Sequence, residues 1–293
     1  MPETDDWRAL YPFASHWLDL DGVRYHYLDE GSGEPLLLVH GNPTWSFYWR
    51  EIVKGLRGRY RLIVPDHVGC GLSDKPQRYE YRLARHIENL RRLVEHLQLE
   101  GVTLLAHDWG GAIGLGAALA ERARFRRFVL FNTAAFRANR IPWRIRVCRA
   151  PVLGELAVRG LNAFARAALW MAVAKSERMT PAVRGGLVAP YDTWANRIAI
   201  DRFVKDIPVS PRHPSYATLE AIERGLPSLA GRPFLFVWGM QDWCFTPYFL
   251  QRFLEFFPGA EVHRLFDASH YVIEDAHEQI VPIVERFLAT YPL

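Results

Sequence analysis

The stretch Leu104-Leu105-Ala106-His107-Asp108-Trp109-Gly110-Gly111-Ala112-Ile113-Gly114 decides the reading of the fold. Its apolar start is long enough for a buried strand, and its small residues continue at helical spacing, so it reads as strand, sharp turn, helix. One acidic residue, Asp108, stands at the turn, with Ala106 two before it and Gly110 two after. A turn that holds a nucleophile on a strained backbone needs small residues at those two positions. A carboxylate there ionises at neutral pH without a base, but its attack leaves an ester or anhydride that a further step must resolve. The competing reading is an acidic N-cap for a helix beginning at Trp109.

Upstream, Asp21-Gly22 between two alternating runs signals a hairpin, and Pro35–Val39 is an apolar run suited to a strand buried on both faces. That run ends in His40-Gly41-Asn42-Pro43, a loop at a carboxyl end of the sheet, with a helix expected over Phe47–Leu56. Leu62–Val64 is a short strand, Leu83–Leu97 an amphipathic helix and Val102–Ala106 the strand that delivers Asp108. Phe128–Asn132 is the next strand. From Phe136 to about Leu226 the chain turns helical, aromatic and proline-punctuated. Strands resume at Pro233–Gly239, ending in Gln241-Asp242-Trp243, and at Val262–Leu265, ending in Asp267-Ala268-Ser269-His270. Helices are expected near Pro247–Phe256 and over Val281–Leu288. Strands alternating with helices imply an α/β protein with a mostly parallel, doubly wound sheet.

At 293 residues, 49% hydrophobic and 13% aromatic, the chain can bury a large core and still line an apolar pocket. The net charge of +4 comes from arginine far more than lysine, much of it in one segment, so it does not argue for nucleic acid. Cys70, Cys148 and Cys244 have no metal-like spacing, and so sparse a count suggests reduced thiols; no metal or cofactor is expected. The acidic start Met1–Asp6 lacks the basic and apolar regions of a signal peptide, so a cytoplasmic location is expected. The longest apolar run, Ala167–Ala174, is too short for a transmembrane segment.

Asp108, Asp242 and His270 each follow a strand at the same sheet edge, and the order nucleophile, acid, base resembles that of the α/β-hydrolase fold. His270 is suited to move a proton or activate water, and Asp242 to orient the imidazole. Taken singly, His270 reads as a loop histidine among eleven and Asp242 as a turn residue; their joint position favours the constellation. Asn42 and Trp109 stand where an oxyanion hole is built, and their side chains add an amide and an indole donor.

The loop His40-Gly41-Asn42-Pro43, the elbow His107-Asp108-Trp109-Gly110-Gly111, the loop Asp66–Asp74, and Gly239, Asp242 and His270 resemble the haloalkane dehalogenases, over the whole core. The segments Asn132–Phe136, Asn162–Phe164, Met179–Arg184, Pro190–Ile198 and Phe203–Pro208 are more specific. They resemble the β-lactone decarboxylases of bacterial long-chain olefin biosynthesis, a group within the dehalogenase subfamily III that pairs Asn with Trp. The resemblance implies an α/β-hydrolase core, residues 1–135 and 227–293, with a helical cap at 136–226. It implies decarboxylation of a cis-3,4-dialkyl β-lactone to a cis-olefin and carbon dioxide, with Asp108 as nucleophile, and an assembly with the enzymes that make the lactone. Such a hydrophobic substrate calls for an apolar pocket with few donors, for which Trp143, Phe164, Trp170, Tyr191, Trp194 and Phe203 are the candidate lining.

Haloalkane hydrolysis by the same residues is the nearest alternative, since a halide and a lactone oxygen need similar donors. An epoxide hydrolase would use cap tyrosines, for which Tyr191 and Tyr216 are available but match no motif. A receptor without turnover would not need an intact Asp–Asp–His set. Finally, Arg137–Arg149 alternates five arginines with Ile141, Trp143, Ile145 and Val147. It reads either as a solvated cap helix or as a surface for an anionic partner or a peripheral membrane contact.

Overall fold

The computed structural model describes residues 6–138 and 140–293; the start of the chain up to residue 5 and Asn139 of the basic stretch lie outside them. The strands are β1 (Ser15–Asp19), β2 (Arg24–Gly31), β3 (Pro35–Val39), β4 (Arg61–Pro65), β5 (Val102–Asp108), β6 (Phe125–Thr133), β7 (Phe234–Gly239) and β8 (Glu261–Leu265). They form one sheet in the order β1-β2-β4-β3-β5-β6-β7-β8. The β1–β2 and β2–β4 pairs are antiparallel and all other pairs parallel. The hairpin between β1 and β2 turns on Asp21 and Gly22, both at positive φ (57° and 85°), as a two-residue turn of this hand requires.

The central strand β5 is buried at every position and β7 likewise, which is why their sequences are continuous apolar runs. Helices cover both faces, and two apolar layers, one on each side of the sheet, make the core. Between β6 and β7 the described residues form only helical turns. Trp45 Nε1 donates to the Gly186 carbonyl (2.9 Å), and the Tyr191 hydroxyl to the Thr44 carbonyl (3.2 Å). These bonds fasten the helical segment to the loop after β3, over the carboxyl end of the sheet.

The last helix departs from the expectation: it starts at Val272 and runs to Thr290, with a non-helical Ala276 and with Pro282 inside. Its first turn hides two acids that break the amphipathic pattern. Glu274 pairs bidentately with buried Arg50 (2.6 and 2.7 Å), and Asp275 accepts from the backbone N–H groups of Ser269, Ala174 and Lys175. Asp66, at the head of the loop that resembled a functional motif, serves the fold: it accepts from the N–H groups of Ser46 and Leu72 and pairs with His26 (2.8 Å). Among the described residues no helix is long and apolar enough to cross a membrane, and no cluster of His, Cys, Asp and Glu is placed to hold a metal.

Candidate active site

Asp108 stands where β5 gives way to the helix Trp109–Ala120, at φ 53° and ψ −126°. The register of β5 against β6 slips there, His107 facing Phe131 while Asp108 faces Thr133. A left-handed non-glycine residue costs on the order of 1–3 kcal/mol and persists only where the surroundings hold it. The surroundings here are glycines: a Cβ on Gly110 would collide with the Val39 carbonyl, and one on Gly111 with the Thr133 hydroxyl. That hydroxyl donates to the Asp108 carbonyl. Asp108 does occupy the N-cap position of the helix that begins at Trp109, but its side chain makes no capping hydrogen bond. Its Oδ1 instead accepts from the Asn42 N–H at 2.6 Å.

His270, on the loop after β8, brings Nε2 to 3.8 Å from Asp108 Oδ2, and its Nδ1 bonds Asp242 Oδ2 at 2.8 Å. Asp242 is itself held on both oxygens. Asn132, at the end of β6, donates to Oδ2 (3.0 Å) and the Cys244 N–H to Oδ1 (2.6 Å). Asn132 also bonds both backbone groups of Gly239, which pins β6 to β7 beneath the acid. From the other side, His107 Nε2 bonds the His270 carbonyl at 2.8 Å. Burial holds the His107 imidazole neutral, far below its ordinary pKa, so Nε2 carries the proton and donates. Asn132, His107 and Asp275 were not singled out as site residues from sequence. Asn132 alone carried a signal, as a polar residue closing an apolar strand at the same sheet edge.

Burial pushes the Asp108 carboxyl above the usual carboxylate range, opposed by His270 and by the N–H groups of Asn42 and Trp109. His270 is raised for the opposite balance: burial alone would lower it, but the Asp242 and Asp108 carboxylates outweigh that. His270 thus sits between the two carboxyl groups of Asp108 and Asp242, which favour its charged form against burial.

Asp108, His270, Asn42 and Trp109 open on one cavity of about 550 Å³ with a mostly apolar lining. The Asn42 amide spends one hydrogen on the Ile200 carbonyl (3.2 Å), which orients the group and leaves its second hydrogen free. Among the described residues the Trp109 indole has no protein acceptor, while its ring packs 5.3 Å from Phe203. The backbone N–H groups of Asn42 and Trp109 face the Asp108 carboxylate, so what these two residues have left for a displaced anion is their side-chain N–H groups.

Of the six aromatics expected on the pocket, Trp143 and Phe164 line it; the other four are corrected. The helix Ala163–Met171 turns Phe164, Ala167, Ala168 and Met171 to the cavity, an i, i+3, i+4, i+7 stripe that excludes Trp170. Trp170 lies on the surface beneath the Arg184 guanidinium. Tyr191 is buried with its hydroxyl on Thr44, Trp194 stacks with Arg159 at the surface, and Phe203 is in the core between Trp109 and His86. Trp243, Phe245, Phe249 and Tyr271 line the cavity from the core side and were not expected to.

Residues 34–276 match the α/β-hydrolase fold family. The cis-3-alkyl-4-alkyloxetan-2-one decarboxylase of Xanthomonas campestris pv. campestris is 46% identical, over 97% of this chain and 98% of the relative. The protein of the same description from Shewanella oneidensis is 42% identical over 96% and 90%. Among solved structures, the haloalkane dehalogenase DatA of Agrobacterium tumefaciens C58 superposes with a TM-score of 0.82 at 26% identity, over 94% of this chain and 96% of that one. An elbow with a carboxylate, an acid held behind a histidine and this similarity along nearly the whole chain lead to one conclusion: the chain is an enzyme of the α/β-hydrolase superfamily and belongs to the family of the oxetan-2-one decarboxylases.

Proposed function

We propose that this enzyme decarboxylates a cis-3,4-dialkyl β-lactone to a cis-olefin and carbon dioxide, with residues 136–226 as a cap over the site. The observation that carries the reading is the Asp108 carboxylate at the floor of a large apolar cavity, with His270 at 3.8 Å and two side-chain donors beside it. A dialkyl β-lactone is apolar except for one strained ring, which suits such a cavity. The names of the two relatives support the same substrate.

In this mechanism an Asp108 carboxylate oxygen bonds the alkyl-bearing ring carbon that carries the ring oxygen, the bond between that carbon and the ring oxygen breaks, and the freed oxygen becomes part of a carboxylate anion on the neighbouring carbon. Asn42 and Trp109 hold that anion through side-chain N–H groups that develop their full effect only as charge appears. Fragmentation then breaks the carbon–carbon bond to the carboxyl carbon, forms the double bond and frees Asp108. Atoms balance without water, and no oxidant or cofactor is needed. His270 stands between Asp108 and Asp242 and moves a proton if the displaced oxygen takes one.

A second reading, haloalkane hydrolysis, is favoured by the likeness to DatA and by the two donors, which would suit a halide. Here His270 activates water against the Asp108 ester, and the N–H groups of Asn42 and Trp109 hold the oxyanion on Asp108. Epoxide opening has less support: Tyr191 and Tyr216 do not line the cavity. Incubation with a cis-β-lactone and, separately, with a bromoalkane decides between them. Olefin without bromide release supports the proposal, and bromide release without olefin overturns it.

A further inference from the structure

The cavity's mouth carries a group of exposed apolar side chains. Trp143, Val147 and Met171 line the cavity and are also solvent-exposed, so they form its rim. Around them Val152, Leu153, Leu156 and Leu161 stand out from the surface, each more than half exposed and Leu153 by 73%. They lie on, or in the turns joining, consecutive short helices from Trp143–Cys148 to Ala163–Met171 that pack against one another. Scattered exposed apolar residues need no explanation, but a contiguous group around an opening does.

The one acid of residues 140–171, Glu155, is taken by Arg159 and Lys205. Among the described residues Arg140, Arg144, Arg146 and Arg166 make no salt bridge to a carboxylate, unlike Arg137, which is taken by Glu220 and Glu223. Arg144 lies 5.3 Å from the rings of both Trp143 and Trp243, and Trp243 in turn donates to the Met171 carbonyl (2.7 Å), so cation and aromatics form one rim. At the tip of the face Val152 is held at φ 60°, a conformation that a β-branched residue adopts only under constraint. Gly154 helps hold it, since a Cβ there would collide with the Cys148 carbonyl. A constrained tip that projects Val152 and Leu153 into water does nothing for the core.

We infer that this rim is a docking surface for anionic lipid, through which a substrate with alkyl chains reaches the cavity from a membrane. Tryptophan and arginine at headgroup level, with aliphatic side chains pointing past them, is the pattern of an interfacial contact. The purpose of the surface rests on the alkyl-chain reading above, whereas its lipid binding needs no substrate.

Flotation of the purified full chain with vesicles tests it. Retention is expected on phosphatidylcholine vesicles containing phosphatidylglycerol at low salt, with release at high salt and none on phosphatidylcholine alone. Each charge removed should lower partition about fivefold, so Arg146→Ala with Arg166→Ala should lower it about 25-fold. Val152→Asp with Leu153→Asp should also release the protein. None of these residues lines the cavity, so turnover of a short-chain soluble substrate should stay native, which also shows that the variants are folded. Native protein that ignores anionic vesicles at low salt overturns the inference, as do variants that bind like the native chain. Retention by a protein partner through these residues, without vesicle binding, makes the face a protein interface and overturns it too. A negative flotation leaves the lactone assay standing, and the reverse holds.

Discussion

Gly41 and Asp108 share one space: a Cβ on Gly41 would fall on Asp108 Oδ1. The absence of a side chain at Gly41 is therefore what lets the carboxylate reach the Asn42 N–H. Gly41→Ala should lower kcat by on the order of a hundredfold or more, because a displacement of about 1 Å is enough for that. Steady-state kinetics beside a circular dichroism melt checks it; native kcat in the alanine variant would mean that the carboxylate has room the structure does not provide.

Asp108→Asn should abolish turnover and raise stability at neutral pH. The Asp108 carboxyl has a folded pKa raised by burial, so the ionised form weakens the fold above that value. Below the unfolded carboxylate pKa the group is protonated in both states and the effect vanishes. Thermal melts should therefore show a stabilised variant near neutrality whose advantage fades in acid. Asparagine also tolerates the positive φ of this turn.

Asp242→Asn should move the His270 titration to lower pH, because the Asp242 carboxylate is the principal group raising it against burial. Stability from this raised value is fully present below the unfolded histidine pKa and is lost as pH rises through the folded one. The variant should lack that pH-dependent component. Imidazole proton shifts followed by NMR read the titration, and kcat should fall on the order of a thousandfold as the ring loses its orientation.

Asn42→Ala and Trp109→Phe should each lower kcat about a hundredfold, the usual loss for one donor to a developing anion. Turnover unchanged in both would place the stabilisation elsewhere. Because the Asn42 amide also bonds Ile200, a melt of Asn42→Ala separates lost catalysis from a loosened contact with the helix Ile198–Lys205.

Ala168→Phe should shorten the accepted substrate. Ala168 lies on the cavity stripe of its helix, and each methylene excluded from an apolar pocket is worth about 1–3 kcal/mol. Long-chain substrates should lose at least about tenfold in kcat/KM while short ones are spared.

The site's skeleton was legible because buried parallel strands leave continuous apolar runs, and their carboxyl ends mark where loops carry chemistry. Asp108, Asp242 and His270 were each legible from that rule, and the structure brings them to one point. The small residues around Asp108 were legible for a related reason, since a strained turn tolerates little else. The sequence pattern shows only the later part of the final helix, because Glu274 and Asp275, acids on a buried face, interrupt it; Arg50 and three backbone N–H groups satisfy them in the fold.

What the sequence by itself determined is the sheet, its order of loops and the three residues at the strand ends, all consequences of local periodicity. Tertiary structure alone decided which aromatics of residues 136–226 face the cavity. Trp170 is one residue away from the stripe through Phe164, Ala167, Ala168 and Met171, and Phe203 packs into the core beside Trp109. Hydrophobicity makes all of these side chains equally fit for a pocket or a core; the rotation of each short helix against its neighbours assigns them. The same holds for Asn132 and His107, whose hydrogen bonds to Asp242 and His270 span more than 100 residues of chain and exist only once β6, β7 and the loop after β8 lie side by side.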